Sequence, residues 1–243
     1  MNTSSSPAKR ILMVVANPAV SPVTGWPVGF WAAELTHPWV EFVDAGYQVA
    51  LASPEGGKVA LDSYSDPRDA SGYSAHDVIS LGVLSHPQMA KVLDATLPLA
   101  AVKPEDYDAV FVCGGQSPMV TFVDHAPLHA FLVRAYEAGK VLALVCHGTC
   151  VLLKLRTSDG RLLVEGRTWT GFADSEERFA EQAVGGKIQP FWIETEARKI
   201  PGTNFITHNA FESFAVRDGR LVTGQQQNSG RAAARLVIEA LGR

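Results

Sequence analysis

The run Ile11-Leu12-Met13-Val14-Val15-Ala16 contains no polar residue and stops at Asn17-Pro18. Side chains of a strand alternate between two faces, so a run that is apolar throughout is buried on both and requires helices on each side of its sheet. The segments that follow keep this rhythm. Trp31 to Ala45 has helical spacing and ends at Gly46, and Tyr47 to Ala52 resumes as a strand stopped by Ser53-Pro54 and Gly56-Gly57. Residues 58–99 read as an irregular excursion with one short helix near His86 to Asp94. The sheet returns at Asp108 to Cys113, breaks at Gly114-Gly115, and continues through a helix over Leu128 to Ala138 into Val141 to Val145. A helix after Cys146, a strand over Gly166 to Thr170 and a helix over Ser175 to Ala183 capped by Ser175 come next. Two short strands then flank Asp218-Gly219, and an Ala-rich helix from Ser229 to Leu241 closes the chain. Alternation of this kind predicts an α/β fold with a mostly parallel sheet. Residues 1–9 read as a flexible tail and residues 10–243 as a single domain.

Composition narrows the function classes. With 47% hydrophobic and 19% charged residues over 243 positions, neither disorder nor a coiled coil is expected. A formal charge of -4 with interspersed signs offers no basic stripe, so nucleic acid is not an expected ligand. No apolar run reaches the roughly 18 residues of a membrane span, and Met1 to Arg10 lacks the apolar core of a signal peptide, so a cytoplasmic location is expected. Cys113, Cys146 and Cys150 are too few and too clustered for a disulfide framework.

The stretch Ala143-Leu144-Val145-Cys146-His147-Gly148 runs a buried strand straight into a helix. This is the pattern of a nucleophile elbow with cysteine in place of serine, set at the carboxyl edge of the sheet where α/β proteins bind ligands. The helix amino terminus is expected to lower the Cys146 pKa, and the His147 N–H to face an oxyanion. The competing reading makes Cys146 a small buried hydrophobe. Gly114-Gly115 ends another strand at the same edge and allows a backbone N–H to complete the oxyanion hole. Glu34 lies among apolar and aromatic neighbours in Gly29-Phe30-Trp31-Ala32-Ala33-Glu34-Leu35. Turned toward the sheet, its carboxyl is desolvated and neutral, able to donate to a thiolate or move a proton; turned outward, it is an ordinary helical glutamate. His147 can orient or deprotonate Cys146 if a carboxylate holds its ring, and Glu176 and Glu177 both qualify. Cys150 reads as packed core. Glu34-x-x-His37 is half of a di-metal motif without a second copy, so no metal is expected.

These residues resemble the ThiJ/PfpI family of the class I glutamine amidotransferase-like superfamily, in its glyoxalase III, deglycase and chaperone branch. The matching segments include Gly29-Phe30-Trp31 with Glu34 to Pro38, Ala52-Ser53-Pro54, Gly114-Gly115, Val145-Cys146-His147-Gly148, Thr170-Gly171-Phe172 with Glu176-Glu177, and Asp218-Gly219 with Leu221 to Gln225. The resemblance implies a flavodoxin-like three-layer sandwich, a homodimer, and no cofactor. It makes Cys146 the nucleophile, His147 its triad neighbour, Glu34 the carboxyl against the thiol, and Glu177 the third triad member with Glu176 competing. Gly115 and His147 then supply the oxyanion N–H groups. The chain departs from the pattern at Cys113-Gly114-Gly115-Gln116-Ser117, where relatives often read Pro-Gly-Gly-His-Gly, and at Gln226-Gln227-Asn228, where Asn-Pro commonly follows Thr-Gly-Gln. The implied activity is glutathione-independent conversion of 2-oxoaldehydes such as methylglyoxal to 2-hydroxy acids. A stress-responsive chaperone or redox sensor is the alternative, and a cysteine hydrolase acting on peptides or carbonyl adducts a further one. Glutaminases of the superfamily carry a late His-x-Glu pair, and this chain has none.

Overall fold

The computed structural model describes residues 8–242. The tail expected over residues 1–9 therefore lies, through residue 7, outside the described residues. Seven strands form the central sheet: β1 (Arg10–Val14), β2 (Gln48–Ser53), β3 (Leu97–Pro98), β4 (Ala109–Val112), β5 (Val141–Val145), β6 (Ala215–Asp218) and β7 (Leu221–Gly224). Their order is β6-β7-β5-β4-β1-β2-β3. Every pair is parallel except β6 with β7, which the Asp218-Gly219 turn folds back antiparallel. All residues of β4 and β5 are buried, as are Ile11 to Val14 of β1. Since adjacent side chains point to opposite faces, both faces of the sheet are covered, as the apolar run predicts.

The covering helices are α1 (Ala32–Asp44), α2 (Val78–Ser85), α3 (Pro87–Asp94), α4 (Ala126–Glu137), α5 (Asp174–Val184) and α6 (Gly230–Ala240). α1 and α6 pack together, and α6 also lies on β5 and β7, while α4 lies on β4 and β5. Glu41 of α1 accepts from Arg231 and from Arg235 of α6, the latter at 3.0 Å. Phe42 of α1 meets Phe111 of β4 edge-on with ring centroids 5.8 Å apart. This is the mixed α/β arrangement expected from the alternation and the flavodoxin-like layering that the resemblance implies.

Two local expectations are corrected. The excursion holds two helices, since α2 precedes α3, and its end adds β3 to the sheet. α2 is nearly all apolar, with Val78 and Leu81 exposed, so it lacks the stripe that marks a surface helix; the Asp77 side chain caps it by accepting from the Ser80 N–H at 3.0 Å. Ser175 does not cap α5. Ala173 occupies that position, and its N–H donates to the Glu176 carboxylate at 2.9 Å, so a side chain within the first turn does the capping.

Phe111 is fully buried between sheet and helix layer. Phe111→Ala is expected to lower the unfolding free energy by about 3–5 kcal/mol in urea titration, because the cavity collapses only partly. A loss below about 1 kcal/mol contradicts this placement.

Candidate active site

The parallel registers set the site. Val112 pairs with Leu144 and Gly224 with Val145, so the chain leaves β4, β5 and β7 at one edge, as Cys113-Gly114-Gly115, Cys146-His147 and Gln225. Cys146 has φ of +55°, one of two non-glycine residues with positive φ among those described. A side chain held in this region is strained and needs surroundings that enforce it. Here a strand turns directly into the 3-10 helix Cys146–Leu153, and Thr149 Oγ1 donates to the Cys146 carbonyl at 2.7 Å. The expected elbow is present, and Cys146 is only 3% exposed.

Glu34 is brought beside this thiol by α1, and a proline helps to fix it there. Pro38 lies inside α1 and has no N–H for the carbonyl four residues earlier, which is that of Glu34. The Cys113 thiol takes that carbonyl instead, at 3.2 Å, and so ties α1 to the end of β4. The Glu34 side chain is fully buried; Oε2 accepts the Gly114 N–H at 2.6 Å, and Oε1 has no aligned hydrogen bond. Desolvation pushes the Glu34 pKa up to about 8 against the favourable contacts of Cys146 and Gly114. Glu34 therefore carries a proton at neutral pH, and Oε1 is the oxygen free to hold it.

Cys146 departs from expectation. Burial, together with the Glu34 charge, pushes the thiol well up, opposed by the N–H groups of His147 and Gly115. The short helix does not outweigh desolvation. Thiol and carboxyl form a coupled pair in which ionisation of one disfavours ionisation of the other. Gly115 has φ of +97°, and a Cβ there would lie 2.5 Å from the Trp31 N; a Cβ on Gly114 would lie 2.7 Å from Glu34 Oε2. Only glycines let this loop approach both α1 and the elbow.

His147 Nδ1 lies 3.4 Å from Cys146 Sγ, and Nε2 lies 2.9 Å from Glu177 Oε1. The ring is stacked on Phe172 at 4.1 Å. A neutral ring that donates from Nε2 to Glu177 leaves Nδ1 free to accept the thiol proton. Glu176, one position earlier on α5, faces elsewhere: it accepts from the N–H groups of Ala173 and Phe211 and from Gln225 Nε2, each at 2.9 Å. Between the two glutamates, geometry gives the histidine contact to Glu177. Cys150 is fully buried, as expected for core, and His37 pairs with Asp77 at 2.8 Å. Gln225 and Gln226 are buried in polar contacts, and Gln227 reaches the cavity above Cys146.

Asp62 escaped sequence reading because its irregular segment has no period. It is buried and accepts from the Gly29 N–H at 2.8 Å and the Gln116 N–H at 2.7 Å, which fixes the loop carrying Gly115. Desolvation raises its pKa to about 6 despite these bonds. The only hint in the sequence is an aspartate following the apolar Val59-Ala60-Leu61.

Glu34 has a folded pKa above its ordinary value, so between about pH 4.5 and 8 the folded chain keeps a proton that the unfolded chain has lost. Its contribution to stability is full below that window and is lost as pH rises through it. Burial raises Asp62, to about 6, and Glu176 in the same direction, so their protons add to this fall, and substitution of Glu34 isolates its share. Glu34→Gln is expected to flatten the fall in urea-unfolding free energy between about pH 6 and 8. An unaltered slope refutes a buried, protonated Glu34.

Comparison with known proteins identifies the family. A model of the DJ-1/PfpI family matches residues 27–240. A Schizosaccharomyces pombe protein named as a probable glutathione-independent glyoxalase, hsp3103, is 28% identical over 89% of this chain and 92% of its own length. The Saccharomyces cerevisiae glutathione-independent glyoxalase HSP31 is 26% identical, covering 97% of this chain and 99% of that protein. The crystal structure of glyoxalase III from Candida albicans superposes with a TM-score of 0.76 at 25% identity, covering 96% of this chain and 97% of that one. With its elbow cysteine, its buried glutamate and a family match spanning most of its length, this chain belongs to the DJ-1/PfpI family.

Proposed function

We propose that this protein is a glutathione-independent glyoxalase that converts 2-oxoaldehydes to 2-hydroxy acids through a covalent adduct on Cys146. The observation that carries the proposal is the convergence of three functions on one sulfur. His147 Nδ1 stands 3.4 Å away as proton acceptor, a buried Glu34 lies against the thiol, and the N–H groups of Gly115 and His147 bear on the same atom. The similarity to proteins named as glyoxalases supports the same reading.

In the proposed path His147 takes the Cys146 proton, with Glu177 stabilising the imidazolium. The thiolate adds to the aldehyde carbon, and the Gly115 and His147 N–H groups hold the oxyanion of the hemithioacetal until the imidazolium returns the proton to it. Ionised Glu34 then removes the proton from that carbon and delivers it to the neighbouring one, while the hemithioacetal hydroxyl proton passes to the adjacent ketone oxygen through the enediol, so the ketone becomes an alcohol and the adduct a thioester. Water cleaves the thioester, releasing the hydroxy acid and restoring the thiol. Methylglyoxal plus one water thus gives lactate, with no net oxidation. A homodimer in the cytoplasm is part of the proposal; no described helix is long and apolar enough to cross a membrane.

The test is lactate formation from methylglyoxal without glutathione. Cys146→Ala is expected to show no turnover above background, and Glu34→Gln to lose about 10²–10⁴-fold in kcat while Cys146 still reacts with iodoacetamide. Because Glu34 acts ionised from a pKa of about 8, the wild-type rate rises with pH toward that value. Undiminished turnover by Cys146→Ala refutes the mechanism.

A further inference from the structure

We infer that the cavity above Cys146 selects 2-oxoaldehydes bearing a bulky, uncharged, apolar group on the ketone carbon, aryl or branched alkyl, over methylglyoxal. The inference rests on the oxoaldehyde reading and specifies its substrate class. The cavity measures about 370 Å³ and reaches Cys146, His147 and Glu177 at its base. That volume falls in the range of about 300–1,000 Å³ typical of sites for drug-sized ligands, so methylglyoxal would leave most of it to water.

Its walls are aromatic from two directions in the sequence. Trp31 and Tyr73 meet edge-on at 6.1 Å, and Tyr64 lies 5.9 Å from Tyr73. Phe179 of α5 and Phe211 meet edge-on at 5.1 Å, and all five of these side chains line the cavity. Of eleven large hydrophobic residues that are exposed among those described, five border this one cavity: Trp26, Tyr64, Tyr73, Phe179 and Val184. Tyr73 is 50% exposed and Phe179 55%. Apolar surface concentrated around a nucleophile is surface that an apolar ligand removes from water.

Charge selects in the same direction. Among the described residues no lysine or arginine lines the cavity, and the carboxylate at its base is Glu177. Arg178 follows it in sequence but lies over the Trp192 ring, 5.6 Å from its centroid. Gln116 lines the wall with an amide that stays uncharged at every pH. A substrate carrying carboxylate or phosphate finds no lysine or arginine to replace its hydration.

For phenylglyoxal the chemistry is that already described: the thiolate bonds to the aldehyde carbon, one proton moves to the benzylic carbon, and one water releases mandelate. The experiment compares kcat/KM for phenylglyoxal, methylglyoxal and the anionic 2-oxoaldehyde 4-carboxyphenylglyoxal, in the wild type and in Tyr73→Ala, Phe179→Ala and the double variant. The wild type is expected to use 4-carboxyphenylglyoxal at least about tenfold less well than phenylglyoxal, and to favour phenylglyoxal over methylglyoxal by about tenfold or more. Because the two aldehydes differ in intrinsic reactivity, the variants supply the second reading: the double variant is expected to reduce that ratio at least about fivefold, chiefly through KM for phenylglyoxal. Both side chains are half exposed, so circular dichroism serves to verify that the fold is retained. Methylglyoxal turned over as well as phenylglyoxal, a ratio indifferent to both substitutions, or 4-carboxyphenylglyoxal used as well as phenylglyoxal overturns the inference and leaves the glyoxalase reading standing. Failure of all three 2-oxoaldehydes with a thiol that still alkylates overturns the glyoxalase reading, and this inference with it.

Discussion

A carboxyl group and a thiol buried against each other, with too little solvation to ionise both, form the constraint around which this molecule is arranged. Glu34 is fully buried and Cys146 nearly so. Neither would tolerate that position without the backbone N–H groups of Gly114, Gly115 and His147, and those groups are available only because two glycines bring their loop within contact distance of α1. The sheet register, the strained elbow and the proline inside α1 all serve to hold these two acids in place. An active site built this way stores its reactivity as a proton that has two neighbouring hosts, and substrate decides which host gives it up.

Much of this was legible in the sequence, and for identifiable reasons. Strands buried on both faces have a pattern that few other elements share, so β1, β4 and β5 could be placed from apolar runs alone. Cys146 was visible because it directly ends such a run. Glu34 was legible only in combination: among Phe30, Trp31 and Leu35 it could face sheet or solvent, and the Cys146 elbow favoured the inward reading. The choice between Glu176 and Glu177 was not legible. Consecutive helical residues point about 100° apart, and the direction that meets His147 depends on how α5 docks against Phe211 and Gln225, far along the chain.

Other features were hidden because they arise only from assembly. Asp62, Tyr64 and Tyr73 belong to a segment with no regular period, and their common destination beside Gly115 and Cys146 has no local signature. The electrostatics of the thiol were misjudged for a related reason. A helix start is readable from sequence and favours the thiolate, whereas the desolvation that outweighs it depends on everything packed around the elbow.

The clasp between α1 and α6 has a consequence for how the molecule acquires its reactivity. Glu41 and Arg231 are separated by 190 positions, and the cavity draws together residues from Trp26 to Gln227. Contacts of such high order close late in folding, after the entropy of the intervening chain has been surrendered. His147 stands beside the nucleophile in the chain itself, but Glu34, Gly115 and Glu177 reach this pair only where distant stretches of the polypeptide have met, so the complete catalytic set exists only in the finished tertiary structure.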